Sequence, residues 1–147
     1  MKTTIIIDLD GTLCNSGHRQ HYAVAKDWAQ FHGCLMQDEP NADVQGLIAA
    51  LPENWTRIAL TARPEPYRTQ TIEWLLSHGI AIDTLLMRPA NDFNSDTIVK
   101  PALLNRHFGS HEVALQHVAF ILDDRDAIVE AWRNLGYRCW QVQPGGY

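Results

Sequence analysis

Asp8 and Asp10 stand two residues apart directly after Ile5-Ile6-Ile7, and Asp123 and Asp124 stand side by side directly after Phe120-Ile121-Leu122. Ionised groups at the ends of apolar strands are costly unless they are paired or bound to a metal. Alternation along a strand sends Asp8 and Asp10 to the same side, where they can share a metal or divide the roles of nucleophile and acid. Gly11 lets the backbone turn sharply and come close to a phosphate. An Asp-Gly turn alone is ordinary, and a helix N-cap accounts for one of Asp123 and Asp124. Neither reading accounts for the full set. Four carboxylates meeting at one place repel one another unless a cation joins them, and an all-oxygen ligand set points to Mg²⁺.

Other residues could receive an anion at the same place. Thr61 can offer its hydroxyl to a phosphate oxygen, with the free N–H groups of the next helix beside it, and Arg63 is two residues on. Lys100 is the sole lysine after Lys26. The plain readings are a helix cap for Thr61 and a solvated surface for Lys100. His18 and His21 have the HxxH spacing but no partners, which reads as coincidence rather than a metal site. Trp28, Trp74 and Trp132 recur with apolar residues at helical spacing and are assigned to the core.

The elements that must position these groups alternate between strand and helix. Thr3 to Leu9 is β-branched and apolar without polar alternation, as in a strand buried on both faces. The spacing predicts a helix over Tyr22 to His32 stopped by Gly33, a loop over Gln37 to Asn41, and a short helix over Asp43 to Leu51. A strand over Arg57 to Leu60, a turn at Ala62-Arg63-Pro64 and a helix over Pro66 to His78 follow. Ile82 to Met87 is the next strand and Arg88 to Asp96 a loop. A helix capped by Thr97 is expected to start between Ile98 and Pro101 and to run to His107, because proline is tolerated only near a helix start. Val118 to Leu122, Arg125 to Leu135 and Tyr137 to Val142 read as strand, helix and strand. Such alternation implies an α/β fold, a mostly parallel five-stranded sheet with helices on both faces. Ligands of such sheets sit beyond the carboxyl ends of the strands, which is where Asp8, Asp10, Thr61, Arg63, Asp123 and Asp124 all fall.

With 147 residues the chain suits one domain over 1–147. A net charge of −5 argues against broad coating of nucleic acid but not against a small anionic substrate. No apolar run is long enough to cross a bilayer. The N-terminal apolar run is too short for a signal peptide. Cys14, Cys34 and Cys139 form neither a disulfide framework nor a zinc motif, so a cytoplasmic setting is expected. No G-x-S-x-G elbow and no G-x-x-x-x-G-K-[ST] loop occurs, so neither serine-esterase chemistry nor a P-loop kinase is indicated.

Asp8-Leu9-Asp10-Gly11-Thr12, Thr61, Lys100 and Asp123-Asp124 fall in the order of the four motifs of haloacid dehalogenase (HAD) superfamily phosphatases, which the whole chain resembles. The tail, with Asp123-Asp124-Arg125, Val129, Trp132-Arg133, Gly136 and Cys139-Trp140-Gln141-Val142, looks like the 3′-phosphatase domain of phage polynucleotide kinase. Thr61-Ala62-Arg63 and Ile98-Val99-Lys100 are similar to that domain's second and third motifs. The resemblance implies a Rossmann-like HAD domain in which 14–52 forms a small helical cap-like insert after the first strand.

It also implies roles. Asp8 would attack phosphorus, and Asp10 would protonate the leaving oxygen and then activate water, its carbonyl binding Mg²⁺. Asp8 and Asp124 would be carboxylate ligands, with Asp123 behind them or as an alternate ligand. Thr61 and Lys100 would hold the phosphate. Gly11 and Thr12 would donate backbone N–H groups, Arg63 would clamp a phosphate, and Ala62 and Arg125 would line the substrate site. The expected substrate is a nucleic-acid or nucleotide 3′-phosphate, and a separate kinase or ligase would be a partner. A small-molecule phosphatase such as a nucleotidase is the alternative, and a non-catalytic adaptor for phosphorylated ends is disfavoured because no catalytic residue is missing. The sequence leaves open the contact of His18, Arg19 and His21 with substrate, and the oligomeric state.

Overall fold

A computed structural model describes residues 1–147. Five parallel strands form the central sheet in the order β5-β4-β1-β6-β7: β1 Thr4–Ile7, β4 Thr56–Pro64, β5 Thr84–Arg88, β6 Val118–Asp123 and β7 Cys139–Gln141. A second, antiparallel ribbon pairs β2 Cys14–Asn15 with β3 Glu39–Pro40. β1 lies at the centre, with Ile6 opposite both Ile58 and Ile121. Its side chains split between two cores as pleating requires. Ile5 and Ile7 pack with Trp74, Val44 and Ile48 on one face, and Ile6 packs with Leu104, Ile128 and Trp132 on the other. Helices α3 Ala42–Ala50 and α4 Arg68–Ser77 therefore cover the first face; α5 Asp96–Phe108, α6 His111–His117 and α7 Asp126–Asn134 cover the second.

Several boundaries differ from expectation. The helix over Tyr22 to His32 is two helices, α1 Gln20–Val24 and α2 Trp28–Gly33. Lys26 adopts φ 57° between them and Asp27 starts the second, its carboxylate accepting from the Gln30 N–H at 3.2 Å. An aspartate that caps a new helix offers the backbone a better partner than continuation. β4 runs on through Ala62-Arg63-Pro64, because Pro64 still registers with Arg88 of β5. α5 begins at Asp96 with Ser95, not Thr97, in the cap position, and holds Pro101 inside it. One turn from the start, the proline forfeits a single backbone bond. α6 was not foreseen; Ser110 caps it by accepting from the Val113 N–H at 3.2 Å. Within 14–52, α3 belongs to the main core, whereas α1 and α2 add nothing to either core cluster.

Candidate active site

β1, β4 and β6 deliver Asp8, Thr61 and Asp123 to the same sheet edge, and α5 brings Lys100 up from one face. Asp8, Asp123 and Asp124 are buried, with carboxylate oxygens all within 4.8 Å of one another. Lys100 Nζ donates to Asp8 Oδ1 at 2.8 Å and to Asp123 Oδ2 at 2.7 Å. Thr12 Oγ1 donates to Asp8 Oδ2 at 2.9 Å and reaches Asp124 Oδ1 at 3.4 Å. Asp123 spends its second oxygen on the N–H groups of Asp124 (3.0 Å) and Arg125 (3.4 Å). The Tyr147 hydroxyl donates to Asp124. Three carboxylates thus meet beside one ammonium, which pairs with Asp8 and Asp123 and leaves Asp124 without a cation partner. Burial, reinforced by Asp123 and Asp124, pushes the Asp8 carboxyl well above its ordinary range in spite of Lys100. Burial and Asp123 push Asp124 up as well. Lys100 is itself held charged despite its burial by Asp123 and Asp8.

Asp10 does not join that cluster. Arg63 donates to it from Nε at 3.1 Å and from Nη2 at 2.6 Å, and Arg19 donates to it from Nη2. The same two guanidinia meet Asp38, with Arg19 Nε at 2.8 Å and Nη2 at 2.6 Å, and Arg63 Nη2 at 3.4 Å. His18 Nε2 lies 2.8 Å from Asp38 Oδ1. Burial would raise the Asp10 carboxyl, but Arg63 and Arg19 outweigh it and hold it well below the usual carboxylate range. Cys14 adjoins this group, and burial pushes its thiol up. Oxygens already saturated by guanidinium donors and a protonated thiol do not suit a metal.

The expected site residues are therefore redistributed. Four converging carboxylates become three, with Asp10 set apart on its arginines. Arg63 is fully buried, and its Nη1 donates to Thr71 Oγ1 at 3.2 Å, so its donors face protein groups rather than an open phosphate clamp. The backbone N–H groups of Gly11 and Thr12 turn inward to Cys14 O (2.9 Å) and Leu9 O (3.1 Å), leaving the Thr12 hydroxyl as the group that faces the carboxylates. Gly11 has φ 86°, and a Cβ there would collide with the Asp124 carboxylate and the Tyr147 hydroxyl. Thr61 caps no helix, since α4 starts only at Arg68; its Oγ1 accepts from the Arg63 N–H at 3.1 Å. Lys100 is buried rather than solvated. Ala62 and Arg125 line the same cavity, where Arg125 pairs with Asp96. His21 packs against the Tyr22 ring at 4.0 Å and 41°, and of the two histidines only His18 bonds Asp38.

Arg19 and Asp38 carry more of the site than their sequence context suggested. Arg19 is fully buried, with its guanidinium 4.2 Å above the Phe31 ring. A lone arginine after His18 and a lone aspartate in a loop give no pattern to find. Trp28 also differs from expectation: it is half exposed and lines the cavity, whereas Trp74 and Trp132 are core. The cavity above Asp8 and Asp10 holds about 700 Å³, ample for a nucleotide-sized ligand.

Comparison with known proteins matches residues 2–147 to the family model of the polynucleotide kinase PNKP phosphatase domain. A chain in the structure of the Pnkp1/Rnl/Hen1 RNA repair complex is similar at 32% identity over 98% of this chain and 43% of its own, with a TM-score of 0.82. A second Pnkp1/Rnl/Hen1 complex gives 32% identity over 99% of this chain and 47% of its own, with a TM-score of 0.81. The chain spans less than half the length of either. A haloacid dehalogenase-like hydrolase from Streptococcus pneumoniae shares the fold at 15% identity, covering 95% of this chain and 84% of its own, with a TM-score of 0.66.

Proposed function

The chain belongs to the family of polynucleotide kinase PNKP phosphatase domains, and from that premise we propose that it removes 3′-phosphates from nucleic-acid ends through an aspartyl-phosphate on Asp8. It is a phosphatase of the HAD type. The observation that carries the proposal is the trio Asp8, Asp123 and Asp124 gathered around the single cation Lys100, which pairs with only two of them, Asp8 and Asp123.

The all-oxygen, under-neutralised trio fits Mg²⁺. Asp8 and Asp124 would hold it with the Asp10 carbonyl, as the family resemblance implies, while Asp123 stays bonded to Lys100 and to the backbone N–H groups of Asp124 and Arg125. When bound, the ion supplies the positive charge that lets Asp8 ionise beside two other carboxylates and that offsets charge on the phosphoryl oxygens.

Asp8 attacks phosphorus, and the bond from phosphorus to the 3′ oxygen breaks with its electron pair on that oxygen, which takes a proton from Asp10 and leaves as a hydroxyl. A water then gives a proton to Asp10, its oxygen attacks the phosphoryl group on Asp8, and inorganic phosphate departs with Asp8 restored. Arg63 and Arg19 hold Asp10 ionised in the free protein, the form that receives the proton from water. Arg63 lines the cavity. Its donors stay on Asp10, Asp38 and Thr71, so the proton that Asp10 gives in the first step is brought by the substrate, a phosphate monoester entering as its monoanion and leaving that proton on Asp10. Thr61 and Lys100 receive the phosphoryl oxygens. Within 14–52, the part before α3 serves as the cap-like insert, tied to Asp10 through Arg19 and Asp38, while α3 packs in the main core.

Because the Pnkp1 relatives are in an RNA repair complex with Rnl and Hen1, a separate kinase or ligase is the partner we infer, in a reducing cytoplasmic setting. No helix is long and apolar enough to cross a membrane. The test is phosphate release from a 3′-phosphorylated oligonucleotide with Mg²⁺, expected to vanish in Asp8→Asn and with EDTA. No release from any 3′-phosphate, alongside turnover of another phosphomonoester, would sink the substrate assignment and favour a nucleotidase-like or other small-molecule phosphatase.

A further inference from the structure

The cations around the cavity are already spoken for. Lys100 is paired with Asp8 and Asp123, Arg63 with Asp10 and Asp38, and Arg88 and Arg125 both with Asp96. Binding along a phosphate backbone needs a row of free cations, and the cavity wall does not present one. Beyond the scissile phosphate, the substrate must be held by something else.

The same wall carries two large apolar side chains in the open. Phe93 is 91% exposed and Trp28 is 52% exposed, and both line the cavity that contains Asp8 and Asp10. Both are built outward. Phe93 sits between Asp92 and Asn94, whose carbonyls each accept from Arg88 Nη1, at 2.9 and 2.7 Å. The Asp92 carboxylate further accepts from Asn94 N–H and Nδ2 at 3.0 and 2.9 Å, closing a tight turn whose preceding residue, Asn91, has φ 64°. With both neighbours pinned to Arg88, Phe93 has no protein surface to fold onto. Trp28 opens α2 just after the Lys26-Asp27 break that redirects the chain. It is braced edge-on by Phe31 at 5.8 Å and stacked with His32 at 6.4 Å and 28°. These aromatics come from two separate segments, the insert after β1 and the loop after β5, and both border the phosphate site.

We infer that Trp28 and Phe93 form a stacking platform for the base of the 3′-terminal nucleotide. The enzyme then grips a single-stranded end through the π-face of its last base and not through the backbone upstream. This rests on the 3′-end reading above and sharpens it. Stacking tolerates every base, since each has a π-face. Turnover is therefore expected to be indifferent to base identity, nearly independent of chain length, and only weakly salt-dependent.

The test uses the full chain with Mg²⁺ and two 3′-phosphorylated oligonucleotides, one ending in a normal nucleotide and one in an abasic residue. Wild type is expected to show a KM higher by roughly tenfold or more on the abasic end, with kcat largely held. Trp28→Ala and Phe93→Ala are expected to raise KM by a similar factor on the normal end and to add little on the abasic end. A substitution that merely damaged the fold would penalise both ends alike, and that result overturns the inference. So does a wild-type enzyme that processes both ends equally. Should wild type release phosphate from β-glycerol phosphate and from no 3′-phosphorylated end, the 3′-end reading fails and this inference falls with it.

Discussion

Asp8, Asp123 and Asp124 gather around one lysine that pairs with two of them, whereas Asp10 and Asp38 share two arginines and Asp38 also meets His18. The first group is buried throughout and the second is buried apart from Asp10, both are acidic, and both bring three candidate metal-ligating residues together. Their electrostatics differ. In the first, carboxylates outnumber the nearby cation and Asp8 and Asp124 are pushed up. In the second the charges balance and Asp10 is held down. A buried charge that lacks a partner is stabilised by whatever cation arrives, while a balanced buried pair resists any change. The first group is left short of positive charge, as the proposed metal-binding and reacting role requires; the second holds Asp10 on its arginines and ties Arg19 and Asp38 of the insert to Arg63 of the sheet.

The largest expected effect breaks the first group. Asp8→Asn should lower phosphate release by at least about 10⁴-fold, as removing a nucleophile does elsewhere, with single-turnover labelling of the protein by ³²P lost as well. Persistent labelling of that variant would place the nucleophile elsewhere. At the second group the largest effect is on stability. Asp38→Asn leaves Arg19 and Arg63 with Asp10 as their one shared carboxylate, one positive charge short of a partner, and should cost about 3 kcal/mol in denaturant unfolding. A loss under about 1 kcal/mol would mean that the arginines do not depend on Asp38 for their charge balance.

Arg63→Lys keeps the charge but loses the forked donors on Asp10. A misplaced proton carrier should lower kcat by about a hundredfold with little change in KM. A KM effect of that size with kcat intact would instead make Arg63 a phosphate clamp. Asp124→Asn should move in the opposite direction from Asp38→Asn in stability, stabilising the metal-free protein by about 1 kcal/mol through relief of repulsion and so raising its melting temperature. It should also erase the rise in melting temperature that Mg²⁺ produces. A destabilised variant would show that the first group is not short of positive charge.

The smallest effect tests the surroundings of Asp10. Burial depresses the His32 imidazole from 6.5 to about 4, and its Nδ1 has no partner. The unfolded chain therefore binds a proton between these values that the folded chain refuses. The stability His32 permits is full above pH 6.5 and is lost as pH falls toward 4. His32→Gln should flatten the melting temperature between pH 7 and 4.5 relative to wild type, and an unchanged slope would assign the acid sensitivity to other groups.

Much of this was legible from short segments. Ile5-Ile6-Ile7 can only be a strand buried on both faces, and the apolar periodicity around Trp74 and Trp132 places both in the cores. Carboxylates stranded at the ends of β1 and β6 announce a cation site because no local partner explains them. These inferences hold because burial and alternation depend on neighbours in sequence. Other outcomes depend on neighbours in space. Pro64 continues β4 because β5 is beside it, and Asp10 parts from Asp8 because Arg63, 53 residues away, and Arg19 converge on it. Lys100 sits in the core only because Asp8 and Asp123 meet there. Trp28 shows the same limit: its spacing suits a core helix, yet the break at Lys26 turns it toward the cavity. Residue type and spacing determined the sheet and the edge where its carboxylates gather, and the resemblance of the four motifs to a known family supplied the phosphatase chemistry. Only the tertiary structure decided which carboxylate each cation would neutralise, since Coulomb energy is set by distances that the chain acquires on folding.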